Sequence, residues 1–236
     1  MSRAGDAGEA VRTFLRGLGQ TLITLGVVVL LFCGYELYFT NLYTDQQQSQ
    51  LGKDITSTWH AAPPKPGSKL ASVIPGTGIA IIRIPRIGMV GKVSPHGARV
   101  VVEGVSHEDL KKGPGHYPHT ALPGEVGNMV VSGHRTTYGA PFNRVDELRA
   151  GDPIVLETRD TWFTYRVTGE QVVSPSAVEV TYAVPGKRDA VPTQRLLTLT
   201  TCNPKYSASQ RLIVHAVLAS ALPKSAGDPP ALTGGS

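Results

Sequence analysis

Cysteine is nearly absent from this chain, with 2 in 236 residues. At most one disulfide is possible. Cys33 sits inside an apolar run and Cys202 lies far beyond it, so neither is expected to be bridged, and cysteine usage does not fix the compartment. Positive charge is not concentrated either. The formal net charge of +5 is spread along the chain, and no basic run is dense enough to argue for nucleic-acid binding. Aromatic residues make up 6% against 41% hydrophobic, a balance compatible with a folded core. Internal repeats are missing. His116 and His119 share a loop at a metal-like spacing, but no cysteine or carboxylate nearby completes a ligand set.

What the sequence does have is one long apolar run near its start. Residues 18–35 are interrupted only by Gln20 and two threonines. Their 18 positions are at the lower edge of a spanning helix, which Phe14 or residues 37–39 can extend. Arg3, Arg12 and Arg16 precede the run and only Lys53 follows within about twenty residues, which keeps the N-terminus in the cytoplasm. Tyr35, Tyr38 and Tyr43 suit the far interface. Gly34-Tyr35-Glu36 offers no small-x-small cleavage site, and Leu31-Phe32 puts a bulky residue just before Cys33, against a lipoprotein. The expectation is a cytoplasmic N-terminus over residues 1–16, an uncleaved single-pass transmembrane signal anchor over 17–39, and the remainder outside the cell.

Residues 40–77 read as a helical and Pro-rich linker. Leu51, Ile55 and Trp59 form one helical stripe in an otherwise polar segment, so this helix either continues the anchor or packs on the domain. Residues 61–68 are a semi-stiff proline linker. The globular domain is expected over residues 78–221. Short strands are predicted at 79–84, resuming at 89–93 after Pro85, then at 100–102, 128–132, 153–157 and 162–173, with a closing hairpin over 196–215. Helical turns are predicted at 106–112, with Ser106 as cap, and at 142–148, with residues 113–119 as a loop. About eight short strands with few helices point to a β-barrel. Residues 222–236 read as a disordered Pro/Gly/Ala tail.

The hairpin carries the chemistry. Leu197 and Leu199 alternate with Thr198 and Thr200, and Cys202 closes the strand on the threonine parity, where a structural thiol is less expected. The run breaks at Asn203-Pro204 and resumes at Arg211, which the hairpin can bring beside the thiol. A guanidinium there favours thiolate and offers donors to a developing oxyanion. His134 follows a strand end and Gly133, placed as a site residue on a loop rim. His60, His96 and His107 sit in polar segments, and His215 falls within the last strand as a wall residue.

Taken together, Ser132-Gly133-His134-Arg135, Thr198-Leu199-Thr200-Thr201-Cys202 and Arg211 resemble a sortase, a cysteine transpeptidase of Gram-positive cell surfaces. The segments at 113–118 and 134–142 are similar to class E sortases of actinobacteria. The resemblance implies an eight-stranded sortase-type barrel behind the transmembrane helix. It implies Cys202 as nucleophile, His134 as general acid/base and Arg211 as oxyanion and substrate-positioning group. Thr201 would support the substrate strand, and Tyr117 would contact the sorting signal. The implied reaction cleaves a Thr-Gly bond in an L-P-x-T-G or L-A-x-T-G signal and transfers the client to a cell-wall amine, with no cofactor. No acidic cluster marks a calcium site, so no metal is expected. Two rival readings are a hydrolytic cysteine protease, which has no use for Arg211, and a non-catalytic tethered binding barrel.

Overall fold

The apolar run and the polar stripe behind it form one helix, α1 (Arg3–His60, 58 residues). The computed structural model describes residues 3–61, 74, 76–94 and 97–234. It divides the chain into two compact units, Met1–Thr40 and Asn41–Ser236. The first unit is the helix alone, and its apolar residues are exposed from Val11 to Tyr35. By length and composition α1 is apolar enough to cross a membrane.

The second unit is an eight-stranded closed barrel. Its strands are β1 (Gly78–Arg83), β2 (Arg99–Glu103), β3 (Gly115–His116), β4 (Gly127–Ser132), β5 (Pro153–Glu157), β6 (Thr161–Val173), β7 (Arg195–Asn203) and β8 (Gln210–Pro223). They close in the order β1-β2-β3-β4-β7-β8-β6-β5. β2–β3 and β4–β7 are parallel and the other neighbours antiparallel. Closure gives every strand a partner on each side. One face of every strand except the two-residue β3 fills the interior: Ile82, Val101, Met129, Val131, Leu156, Tyr165, Leu197, Leu199 and Val214 share one core cluster.

α2 (His107–Lys112) starts as its sequence predicts, with Ser106 and Asp109 forming a reciprocal capping box. Phe142, Val145 and Leu148 also enter the core, but their spacing of three suits a tighter turn. The helix expected at 142–148 is accordingly a 3-10 turn over Val145–Glu147. The strand expected at 89–93 is reduced to isolated bridges, Ile84 to Met89 and Val93 to Ala98. The loop expected at 113–119 contains β3, whose neighbours supply its pairing despite the Gly and Pro around it.

Residues 41–60 of α1 continue the apolar helix and also pack on the barrel, the two arrangements expected for them. Ile55 is buried in a second cluster with Ile81, Ala98 and Val100, and Leu51 and Trp59 pack beside it. These three are the stripe seen in the sequence. Full burial of one such side chain contributes about 1.5–3 kcal/mol. The proline linker at 62–68 lies outside the described residues.

The tail expected to be disordered from Leu222 is ordered through Gly234. β8 runs on to Pro223, a 3-10 turn covers Lys224–Ala226, and α3 covers Pro230–Thr233. Lys224 explains much of this order. It pairs with Glu157 and lies 4.8 Å from the Trp59 ring and 5.3 Å from the Trp162 ring. A cation bonded to a buried carboxylate and flanked by two indoles overrides the tail's polar composition.

Candidate active site

β7 and its two neighbours assemble the candidate residues. In the β7–β8 ladder Cys202 is the direct partner of Arg211. On its other side β7 runs parallel to β4, with Ser132 opposite Thr200. The chain then leaves β4 through Gly133 into His134. Three hydrogen bonds tie residues 133–135 to residues 200–202. Gly133 N–H donates to Thr200 O at 3.1 Å, Thr201 Oγ1 to Gly133 O at 2.7 Å, and Arg135 Nη1 to Cys202 O at 3.3 Å. His134 and Cys202 therefore stand on backbone segments fastened to each other. Gly133 is required here by packing, since a Cβ would lie 2.6 Å from the Phe142 ring.

His134 is half-buried and its Nε2 makes no hydrogen bond to any described residue. An unsatisfied polar atom in such a place is costly unless a reacting group meets it. The Tyr138 ring lies 4.9 Å from the imidazole, and His107 is 6.3 Å beyond in an edge contact with Tyr138. Burial lowers the His134 pKa below its ordinary value, and the charge of His107 acts in the same direction. Cys202 is half-exposed and unbridged.

Arg211 is beside the thiol in register, but its guanidinium turns onto the hairpin loop. Nη1 donates to Ala208 O and to Gln210 O, both at 2.9 Å. Thr201 is buried, and its hydroxyl proton is committed to Gly133 rather than facing a groove. Tyr117 is not beside the thiol. Its N–H donates to Val130 O at 2.9 Å, and Val130 is level with Thr198, four residues short of Cys202 along β7. At strand rise that is about 13 Å.

Arg135, quoted in the sequence motif without a role, joins the candidate site. It is 3% exposed, and besides Cys202 O it donates from Nε to Asn143 O at 3.0 Å and pairs through Nη2 with Asp146 at 3.0 Å. Its position next to a candidate histidine was the available signal. His116, weighed as a possible ligand, is buried with Nδ1 2.6 Å from Glu103 and Nε2 3.1 Å from Ala121 O. No group of three or more metal-ligating side chains occurs among the described residues.

His215 is a wall residue, as expected. Thr198 Oγ1 donates to Asn128 at 2.7 Å, so His215 Nδ1–H donates to Thr198 Oγ1 at 3.0 Å and Nε2 accepts from Gln171 at 3.0 Å. That pattern suits a neutral ring, and burial lowers the His215 pKa. Asn128 Nδ2 in turn donates to Val180 O and Tyr182 O, which fastens the β6–β7 connection over the sheet.

Comparison with known proteins gives one consistent family. The Sortase domain family matches residues 82–219. Sortase SrtE1 of Streptomyces coelicolor is 36% identical over 239 residues, covering 98% of this chain; the chain spans 64% of that relative's length. The structure of sortase E from Streptomyces avermitilis superposes with a TM-score of 0.59 at 45% identity, covering 67% of this chain and 99% of that one. The structure of Sortase E1 from Streptomyces coelicolor, solved with a tripeptide in its active site, is 36% identical with a TM-score of 0.60, covering 68% of this chain and 99% of that one.

Proposed function

This chain belongs to the sortase family, and from that premise we propose that it is a membrane-anchored transpeptidase in which Cys202 is the nucleophile, His134 the acid–base residue and Arg211 the oxyanion and substrate donor. The observation that carries the reading is the fastening of residues 133–135 to 200–202, with Arg211 the ladder partner of Cys202. The backbone positions that carry one thiol, one imidazole and one guanidinium lie at a single strand end.

The chemistry follows from the residue types. His134, held toward its uncharged form by burial, takes the Cys202 proton as sulfur attacks the threonine carbonyl of the sorting signal. The C–S bond forms and the carbonyl electrons move to oxygen, where Arg211 donates. Nη1 carries both loop bonds, so Nε–H and Nη2–H are the donors that serve this role. The oxyanion collapses, the Thr–Gly C–N bond breaks, and the imidazolium gives its proton to the departing glycine amine. A cell-wall amine then attacks the thioester, His134 accepts its proton, and thiolate leaves. Thr201 supports this geometry by holding the carbonyl of Gly133.

The substrate class is a sorting signal of L-P-x-T-G or L-A-x-T-G form. An extended peptide reaching from Cys202 to the level of Tyr117 spans about four strand steps, one more than the three from the first residue of such a motif to its threonine. That a relative was solved with a tripeptide in its active site supports a peptide in the corresponding groove. Residues 17–39 serve as the single-pass anchor, with residues 1–16 cytoplasmic and the barrel extracellular, where clients and acceptor meet.

The test is product analysis. The chain is incubated with L-P-x-T-G and L-A-x-T-G peptides, with and without a glycine amine, and products are identified by mass. Transfer to the added amine is expected for at least one motif. Cleavage that ignores the amine would replace transpeptidation by hydrolysis, and absence of cleavage would favour a binding barrel.

A further inference from the structure

The polar face of residues 41–60 is spent on the barrel at three successive levels. Asn41 Oδ1 accepts from Gly139 N–H at 2.8 Å. Thr44 Oγ1 donates to Lys111 O at 2.7 Å. Gln48 Nε2 donates to Lys112 O at 2.9 Å and Val100 O at 3.0 Å, while its Oε1 accepts from Val100 N–H at 2.7 Å. Thr44 and Gln48 are each 1% exposed, so a slide of the helix would strand buried polar atoms. The helix has one register.

That grip falls on two elements: the loop whose Tyr138 lies on the His134 ring, and α2, whose His107 lies on Tyr138. Lys111 and Lys112 end α2, whose first residue is His107. Gly139 belongs to the loop that follows His134. In this loop Tyr138, Gly139 and Ala140 have φ of 51°, 70° and 40°, a left-handed run that L side chains disfavour. Tyr138, in that run, lies on the His134 ring, and His107 lies on Tyr138. A Cβ at Gly139 would stand 3.2 Å from Thr44 Cγ2, so helix and loop are in close contact.

We infer that Asn41 is a positioning residue for His134: by bonding Gly139 it holds the left-handed loop that keeps Tyr138 on the imidazole, and Thr44 and Gln48 hold the opposite flank through α2. The end of the anchor helix is thus part of the catalytic apparatus although it touches neither thiol nor imidazole. The inference rests on the reading of His134 as the acid–base residue. Without Asn41 the Gly139 N–H turns to water, the strained run relaxes, and the imidazole loses its fixed neighbour while the peptide groove keeps its walls.

The experiment uses the full chain in detergent micelles with a signal peptide and a glycine amine, comparing Asn41→Leu, Asn41→Asp, Thr44→Val and His134→Ala. Asn41 is exposed, so its variants keep the fold and lose at most about 2–4 °C of melting temperature. Asn41→Leu is expected to lower kcat by about three- to tenfold, the worth of one hydrogen bond, with KM unchanged. Asn41→Asp should restore kcat, because a carboxylate also accepts from Gly139 N–H. Thr44→Val should lower kcat in the same sense. Wild-type kcat in Asn41→Leu, or a loss that Asn41→Asp does not restore, overturns the positioning role. If His134→Ala retains activity, the acid–base reading itself fails and this inference with it. If His134→Ala is inactive and Asn41→Leu is normal, only the inference fails.

Discussion

Arg135 donates from Nη1 to the carbonyl of Cys202 at 3.3 Å, so the residue after the candidate base is tied to the residue that carries the candidate nucleophile. The same guanidinium holds Asn143 O and Asp146. Arg135→Met should therefore lower unfolding free energy by roughly 2–3 kcal/mol, moderated because Asp146 reaches solvent. Arg135→Lys keeps the charge but cannot span three acceptors in one plane, and should lose most transpeptidation. Urea unfolding and turnover measure the two effects. Wild-type turnover in Arg135→Lys would reduce the contact to packing.

Cys202→Ala and Cys202→Ser should each abolish transfer while circular dichroism and melting stay as in the wild type. Cys202 is only half-buried at a strand end, so either replacement is tolerated by the fold. Turnover near wild type in either variant ends the nucleophile assignment.

Arg211→Lys should lose most activity although charge is retained. Two of its donors already hold Ala208 and Gln210, and an ammonium cannot hold the loop and meet an oxyanion as a planar fork does. A lysine variant equal to wild type would show that charge alone suffices.

Acid should weaken the fold through His134 and His215. Burial lowers both below the ordinary value of 6.5, and for His134 the charge of His107 adds to this. Below the unfolded value the unfolded chain binds more protons than the folded one, so stability is full above it and is lost as pH falls toward the folded values. Urea unfolding from about pH 7.5 to about pH 5 should show this decline, and His215→Gln should make it shallower. An identical decline in His215→Gln would remove that residue from the account.

Protease added to intact protoplasts should digest residues 45–236 and spare the first dozen. The arginines at 3, 12 and 16 motivate this orientation. Complete protection of the barrel would reverse it and separate the site from any extracellular acceptor.

Alternation made β7 and β8 legible in the sequence, and with them the adjacency of Cys202 and Arg211, because pairing across a short hairpin is nearly local. The stripe of Leu51, Ile55 and Trp59 was legible for the same reason. Long-range backbone bonds were not. Nothing in the residue order shows that Thr201 would spend its hydroxyl on Gly133, that Arg135 would turn inward to Cys202, or that Glu103 would meet His116. Composition misled at the C-terminus, where Pro and Gly suggested disorder but Lys224 is held by Glu157 and two indoles.

The apolar patch of Ile81, Ala98 and Val100 bears on how the catalytic unit can be handled in isolation. Ile55, Leu51 and Trp59 are its cover, and they belong to the helix rather than to the barrel. A fragment cut at Gly78, the start of β1, would present that patch to water and leave Val100 N–H without Gln48. Such a fragment would be sticky, prone to self-association at the concentrations used for crystallisation or labelling. A fragment that begins at Asn41 carries its own cover and should remain monodisperse.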